Sequence, residues 1–265
     1  MTTGAATRAN LGRKQRADSQ DFWETWRTLP EWYERSRIEN LVDKAVEELR
    51  PAKGKRVAYA WSGGKDSQAL RLVAERAGIT ECVLAISELE YPEFLAWATD
   101  NMPEGLTIVN TGQDLGWLMK NRDMLFPKDA GIASRWFHAI NHAGQRTYYK
   151  AKKLDALLLG RRHADGNYTG PGGTTAYKDR EGTLRVSPIA EWSHEDVLAA
   201  LRYFDLELAP CYGWPRGFRV GTGSWPARQW CRDEAHGWQE VFAIDPDIVR
   251  AAAPYFPGAA RQVEG

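Results

Sequence analysis

The chain has 265 residues and a mass of 29.9 kDa, room for one large domain or two small ones with a substantial core. Apolar residues make up 43% and charged residues 26%, and a mean hydropathy of -0.53 with no long uncharged apolar run excludes a transmembrane span. Thirty-five basic residues cancel thirty-five acidic ones, so no global field draws the chain to nucleic acid or membrane, and any anion site must be built locally.

Residues 1–17 read as a disordered basic tail: Arg8, Arg13, Lys14 and Arg16 occur there and no apolar h-region marks a secretory leader. A cytoplasmic location is the expectation. From Asp18 the pattern is helical, with Phe22, Trp23, Trp26, Leu29, Trp32 and Tyr33 at three- and four-residue spacings and a break at Pro30. A second helix is predicted from Glu31 to Arg50, where Ile38, Leu41, Val42, Ala45, Val46 and Leu49 recur before Pro51. Residues 18–51 form an N-terminal helical extension on this reading.

Then the period changes. Arg56–Trp61 reads as a strand, Ser62-Gly63-Gly64 as a turn and Lys65–Ala77 as a helix closed by Gly78. Cys82–Ile86 and Leu106–Val109 read as further strands, with helices at Pro92–Asn101 and from Leu115 to Met119. Trp136–Lys153 is helical in pattern, Leu154–Leu159 is the most apolar strand, and a glycine-rich loop runs from Gly160 to Gly182. Leu184–Ile189 makes a fifth strand and Ser193–Phe204 a helix with Ser193, Glu195 and Asp196 at its start. This alternation predicts an α/β fold, a doubly wound parallel five-stranded sheet with helices on both faces, over residues 52–209. Residues 210–265 differ in texture. Glycines at 213, 217, 221, 223 and 237 alternate with Trp214, Trp225, Trp230 and Trp238, and Pro210–Trp238 reads as a long ordered loop folded over one end of the sheet.

The chemistry starts at Ser62-Gly63-Gly64-Lys65-Asp66-Ser67. Between a strand and a helix, such glycines let backbone N–H groups approach a phosphate, and the helix N-terminus favours negative charge. Ser62 and Ser67 add hydroxyls, Lys65 a mobile cation, and Asp66 either holds a magnesium ion or orients the loop. A Walker A loop is excluded, because Tyr59 stands where glycine would be needed and Asp66 where Ser or Thr would follow the lysine. A second anion site is predicted at Gly160-Arg161-Arg162, at the end of the fourth strand. The alternative there is a surface arginine pair bonded to Asp165 or Asp179.

Ser62–Ser67 resembles the signature of the PP-loop ATP pyrophosphatase superfamily, whose members cleave ATP between its α- and β-phosphates. The run Leu159–Asp165 with Val186–Val197 is similar to the phosphoadenosine phosphosulfate reductase family, which includes the small subunit of ATP sulfurylase. The resemblance covers roughly Arg56 to Tyr212 and implies an adenine-nucleotide α-hydrolase-like fold. It implies ATP and Mg2+ at Ser62, Gly63, Gly64, Lys65, Asp66 and Ser67, adenine near Ile86 and Ser87, and the substrate's anionic groups beside Gly160, Arg161 and Arg162. Lys65, Asp66, Arg161 and Arg162 are the expected catalytic residues, with Asp66 the expected magnesium ligand.

Departures from the family narrow the reading. Its reductases lack the loop lysine, and they use a cysteine near the C-terminus, which the stretch Asp245–Gly265 does not contain. Ser224 and Ala227 stand where relatives place a cluster-binding Cys-x-x-Cys pair, and Cys82, Cys211 and Cys231 are widely spaced, so no iron–sulfur cluster or disulfide framework is expected. Cys211 reads as a persulfide carrier or, more simply, a buried thiol. His138 and His142, four apart on a helix, form a metal pair or a solvated face, while His163 reads as a neutral hydrogen-bonding ring and His194 as structural. Arg216, Arg219 and Arg228 mark the place to look for a second substrate.

The function expected is therefore an AMP- and pyrophosphate-forming enzyme of sulfur transfer or nucleotide modification, acting on ATP and an anionic or nucleotide-like second substrate. The alternatives are a phosphosulfate-nucleotide reductase with an external thiol, and a non-catalytic nucleotide-binding subunit of a larger complex. A protein partner or a homo-oligomer fits either; nucleic acid has little support from the balanced charge.

Overall fold

The computed structural model describes residues 19–265, so the predicted basic tail at 1–17 lies outside the described residues. Helix α1 spans Ser19–Thr28 and α2 Arg35–Glu47. The second helix begins four residues later than the apolar spacing predicts, because Pro30 sits in a separate 3-10 turn, Leu29–Glu31, and Glu34 is extended. The α/β part runs β1 Val57–Ala60, α3 Lys65–Arg76, β2 Glu81–Ile86, α4 Pro92–Asn101, β3 Gly105–Asn110 and α5 Leu115–Lys120. It continues with α6 Ala130–Phe137 and α7 Ala143–Ala151, which a π-helical turn at His138–His142 joins. The predicted helix from Trp136 thus starts earlier, where the Asp129 carboxylate accepts the Ile132 N–H at 2.9 Å. Then come β4 Ala156–Leu158, β5 Ala176–Lys178, β6 Leu184–Val186 and α8 His194–Tyr203, whose Ser193 and Asp196 form a reciprocal capping box.

The sheet has six strands in the order β3-β2-β1-β4-β6-β5. All neighbours pair in parallel except β5, which lies antiparallel on β6 with Ala176 opposite Val186. The expected sheet had five strands; the extra one falls in the stretch read as a glycine-rich loop, and three residues on an edge are too short to show a period. Alternation along the strands divides the core. Tyr59, Cys82, Leu84, Ala156 and Leu158 join Leu70 and Val73 of α3 and Val197 of α8 on one face, whereas Ala58, Val83 and Leu157 pack with Tyr148 of α7 on the other.

The C-terminal region carries more helix than its composition predicts. Within Pro210–Trp238 lie α9 Gly217–Val220 and the first residues of α10 Glu234–Ile244, and the end of the chain folds into α11 Pro246–Ala252 and α12 Pro257–Glu264. Prolines at the first helical turns and the Asp245 cap start the last two. One buried cluster runs from Phe22 through the sheet to Trp238, Val249 and Ala259. The N-terminal helices brace α8 directly: the Tyr33 hydroxyl donates to Asp196 at 2.6 Å, and Arg37 pairs with the same oxygen at 3.0 Å. Among the described residues, no helix is long and apolar enough to cross a membrane.

Candidate functional site

Strand β1 has β2 on one side and β4 on the other, so the chain reverses its direction across the sheet at β1. In open parallel sheets ligands gather at that switch, outside the carboxyl ends of the strands. The loop Ser62–Gly64 leaves β1 there and opens α3, with Gly64 as its N-cap. Gly63 has φ +69°, and a Cβ on it would come within 2.8 Å of Trp97 and 2.9 Å of Phe94, so only glycine fits. Gly160 serves the opposite wall: a Cβ would lie 2.9 Å from the Asp66 carbonyl oxygen, and its absence lets the end of β4 press against the first turn of α3. Ser67 ties the loop, its hydroxyl accepting the Ser62 N–H at 3.0 Å and donating to the Gly64 carbonyl at 2.9 Å. The Lys65 N–H, in the first turn of the helix where no intrahelical acceptor is in reach, donates to the Tyr212 hydroxyl at 2.6 Å.

Two cavities open at this end of the sheet. One, of 280 Å³, is lined by Ser62, Gly64, Asp66, Ser67, Gly160 and Arg161; the other, of 340 Å³, by Ile86, Glu90, Phe94, Trp136, Ser224 and Arg228. Their linings share Ser62, Ala85, Phe137, Asn141, Val220 and Thr222, so they are two ends of one cleft. Val220–Ser224 of the glycine- and tryptophan-rich region forms a wall of it.

Of the residues singled out in the sequence, Ser62, Gly64, Asp66, Ser67, Ile86, Gly160 and Arg161 reach the cleft. Gly63, Lys65, Arg162 and Ser87 do not. Lys65 is 1% exposed, and instead of a mobile cation its ammonium is fixed on both Asp66 oxygens at 2.8 and 2.9 Å. Arg162 is fully buried. Its guanidinium donates to Asp66 at 2.7 Å, to Asp165 at 2.8 Å and to the Trp192 carbonyl at 2.9 Å, and it lies 3.2 Å from His194 Nδ1. The expectation that both arginines grip the substrate is thus corrected: Arg161 faces the cleft, and Arg162 sits behind it, holding Asp66. The bond to Asp165 was one of the partners the sequence offered, but in the interior rather than on the surface. Burial, together with the Lys65 and Arg162 cations, lowers the pKa of His194 to about 4, which leaves its ring neutral and structural.

Asp66 does not fit as a magnesium ligand. Lys65 and Arg162 already hold and neutralise its carboxylate. His138 and His142 have ring centroids 5.2 Å apart, and burial and the neighbouring His138 lower the pKa of His142. They remain a pair without a third ligand among the described residues. His163 bonds Thr169 at 2.8 Å and Glu191 at 3.0 Å.

The second basic group is largely committed. Glu240 takes Arg216 at 2.6 and 2.5 Å and Arg228 at 3.2 Å, while Arg219 stacks on Trp230 at 5.1 Å. Burial raises the thiol pKa of Cys231 despite Arg216, and that of Cys82 to about 11; Cys211 is buried. Ser224, at one position where cluster-bearing relatives would have cysteine, bonds Glu90 at 2.6 Å and lies 2.8 Å from the Ser87 hydroxyl; Ala227, at the other, lines the cleft. Glu90, Tyr212 and Thr222 were not singled out by the sequence for this site. Glu90 had a usable signal, a carboxylate just past the carboxyl end of β2, and Tyr212 another, its place in the Pro-x-Tyr segment; Thr222 comes from a distant segment and had none.

No family model matches the sequence, and no curated protein matches it. Solved structures with a similar fold include a phosphoadenylyl-sulfate reductase from Candida auris in a phosphate complex, at 13% identity and a TM-score of 0.49 over 72% of this chain and 96% of that one. Another is Candida glabrata FMN adenylyltransferase with FMN and the ATP analogue AMPCPP, at 13% identity and TM-score 0.46, covering 78% and 73%. A third is the U34-tRNA thiolase NcsA of Methanococcus maripaludis with its 4Fe-4S cluster, at 15% identity and TM-score 0.43, covering 85% and 80%.

Proposed function

We propose that the protein is an ATP-dependent enzyme that cleaves ATP at the α-phosphate and passes the adenylyl group to an anionic or nucleotide-like acceptor, in sulfur transfer or nucleotide modification. One observation carries this reading: a Ser-Gly-Gly loop opens α3 at the switch point of the sheet, with the cleft in front of it and Arg161 across from it. The first-turn amides of α3 and the Ser62 hydroxyl suit the triphosphate, while Ser67 ties the loop that presents them. An acceptor oxygen bonds to the α-phosphorus as the bond to the bridging oxygen of pyrophosphate breaks. The electron pair leaves on pyrophosphate, where the helix N-terminus stabilises it.

Arg161 is placed to hold the acceptor. It is tethered to the Tyr168 carbonyl at 3.1 Å and the Tyr177 hydroxyl at 3.3 Å, beside the cleft. Arg162 and Lys65 act as positioning residues: they fix Asp66, and with it the first turn of α3. No residue of the chain is assigned to magnesium, which would arrive on the phosphates of ATP.

The test is incubation with α-labelled ATP and magnesium, adding sulfate, sulfide donors and nucleotides singly. Pyrophosphate together with an adenylylated acceptor, or with AMP once a second nucleophile displaces it from that acceptor, supports the reading when it disappears in Gly64→Val, and the additive that stimulates it identifies the acceptor. ADP and phosphate overturn α-phosphate chemistry. Binding without cleavage under every addition overturns the enzyme and favours a non-catalytic nucleotide-binding subunit.

A further inference from the structure

The cleft has two unlike ends. At the loop end, α3 presents its N-terminus. At the other end stands Glu90, 9% exposed, between β2 and α4. Its hydrogen bonds all fall on one oxygen: Oε1 accepts the Ser87 N–H at 3.1 Å, the Ser87 hydroxyl at 3.0 Å and the Ser224 hydroxyl at 2.6 Å. Such a constellation locks the carboxyl in place. Glu90 nevertheless lines the 340 Å³ cavity, beside Ile86, Phe94, Trp136 and Phe137. A carboxylate held in this way has acceptor capacity left on Oε2, and a ligand donor is what satisfies it.

The other linings describe that ligand. Three aromatic side chains suit the faces of a planar ring. Arg228 lines the same end, but Glu240 at 3.2 Å and the Pro215 carbonyl at 2.6 Å hold its guanidinium. Burial raises the carboxyl's pKa against the three donors that lower it.

We infer that Glu90 is the specificity-determining residue of the nucleotide site, accepting a hydrogen bond from the exocyclic amino group of a 6-aminopurine. This rests on the proposed ATP reading and adds to it the residue that reads the base. A 6-oxo purine would set acceptor against acceptor at Oε2, and a ring without a 6-substituent would leave that oxygen unpaired. In Glu90→Gln the amide oxygen keeps the Ser87 and Ser224 donors and the amide NH2 turns to the cavity, which suits a 6-oxo group instead.

The experiment is equilibrium binding of the α,β-methylene analogues of ATP, ITP and 6-unsubstituted purine riboside triphosphate to the full chain, wild type and Glu90→Gln. The wild type is expected to bind the adenine analogue at least tenfold more tightly than either other, and Glu90→Gln to lose at least tenfold of its preference over ITP. The purine riboside comparison uses the wild type alone, so it decides even if the variant does not melt cooperatively. Equal binding of all three by the wild type, or an unchanged preference in a folded Glu90→Gln, overturns the assignment of Glu90 while leaving triphosphate binding intact. Failure of the wild type to bind any of the three overturns the ATP reading and this inference with it.

Discussion

Arg161 and Arg162 are adjacent in sequence and belong to different regions of the molecule. Arg161 stands at the wet edge of the cleft, tethered to Tyr168 and Tyr177. Arg162 lies in an ionic layer behind the loop with the buried Lys65, Asp165 and His194, and Asp66 joins that layer to the cleft. Successive side chains of an extended segment point to opposite sides, so the stretch that follows β4 delivers one guanidinium to each region. The lesson is that the charges richest in motif value are not all there to touch a ligand. Three of the four, Lys65, Asp66 and Arg162, join Asp165 in a platform of two cations against two carboxylates, on which the first turn of α3 rests.

The largest expected effect comes from breaking the platform. Arg162→Ala takes the guanidinium from the buried Asp165 and leaves Asp66 with Lys65 alone, and should lower stability by about 3–5 kcal/mol in a denaturant titration. Next is pH. The folded chain keeps His194 deprotonated down to about pH 4, whereas an unfolded histidine takes up its proton near 6.5. The unfolded state therefore binds more protons in that window, and stability should fall as pH drops from about 6.5 to 4, by about 3 kcal/mol at most. His194→Asn should flatten that slope, and an unchanged slope would place the titration elsewhere.

Smaller still is Tyr212→Phe, which removes the acceptor from the Lys65 N–H and should cost about 1–2 kcal/mol. Bound triphosphate should recover part of it by supplying an oxygen to the same amide, which a thermal melt with and without ATP would detect. Arg161→Ala should change stability by no more than about 0.5 kcal/mol. Its effect should appear instead in the acceptor's KM, raised about tenfold. If Arg161→Ala destabilises as much as Arg162→Ala, the division into two regions is wrong.

The local parts of this design were legible. Helix Pro92–Asn101 and the loop at Ser62–Ser67 follow from proline, glycine and apolar spacing alone. The edge strand at Ala176–Lys178 was too short to show alternation, and α11 and α12, started by Asp245-Pro246 and by Pro257, are too short to show a helical period. The side of β4 taken by each arginine depends on where its strand ends, a matter of one residue, which periodicity does not fix. The Glu90, Ser87 and Ser224 cluster joins segments more than 130 residues apart, so only the packed chain brings it together.

The most direct measurement is amide hydrogen exchange with and without the α,β-methylene analogue of ATP. The account predicts new protection at residues 62–67 and 220–224, on the two walls of the cleft. A cavity of 510 Å³ at the opposite end of the sheet, lined by Val46, Gly54, Val57, Gly78 and Thr80, supplies the counter-case. Protection confined to residues 46–57 and 77–81 would place the nucleotide there and contradict the assignment of the loop.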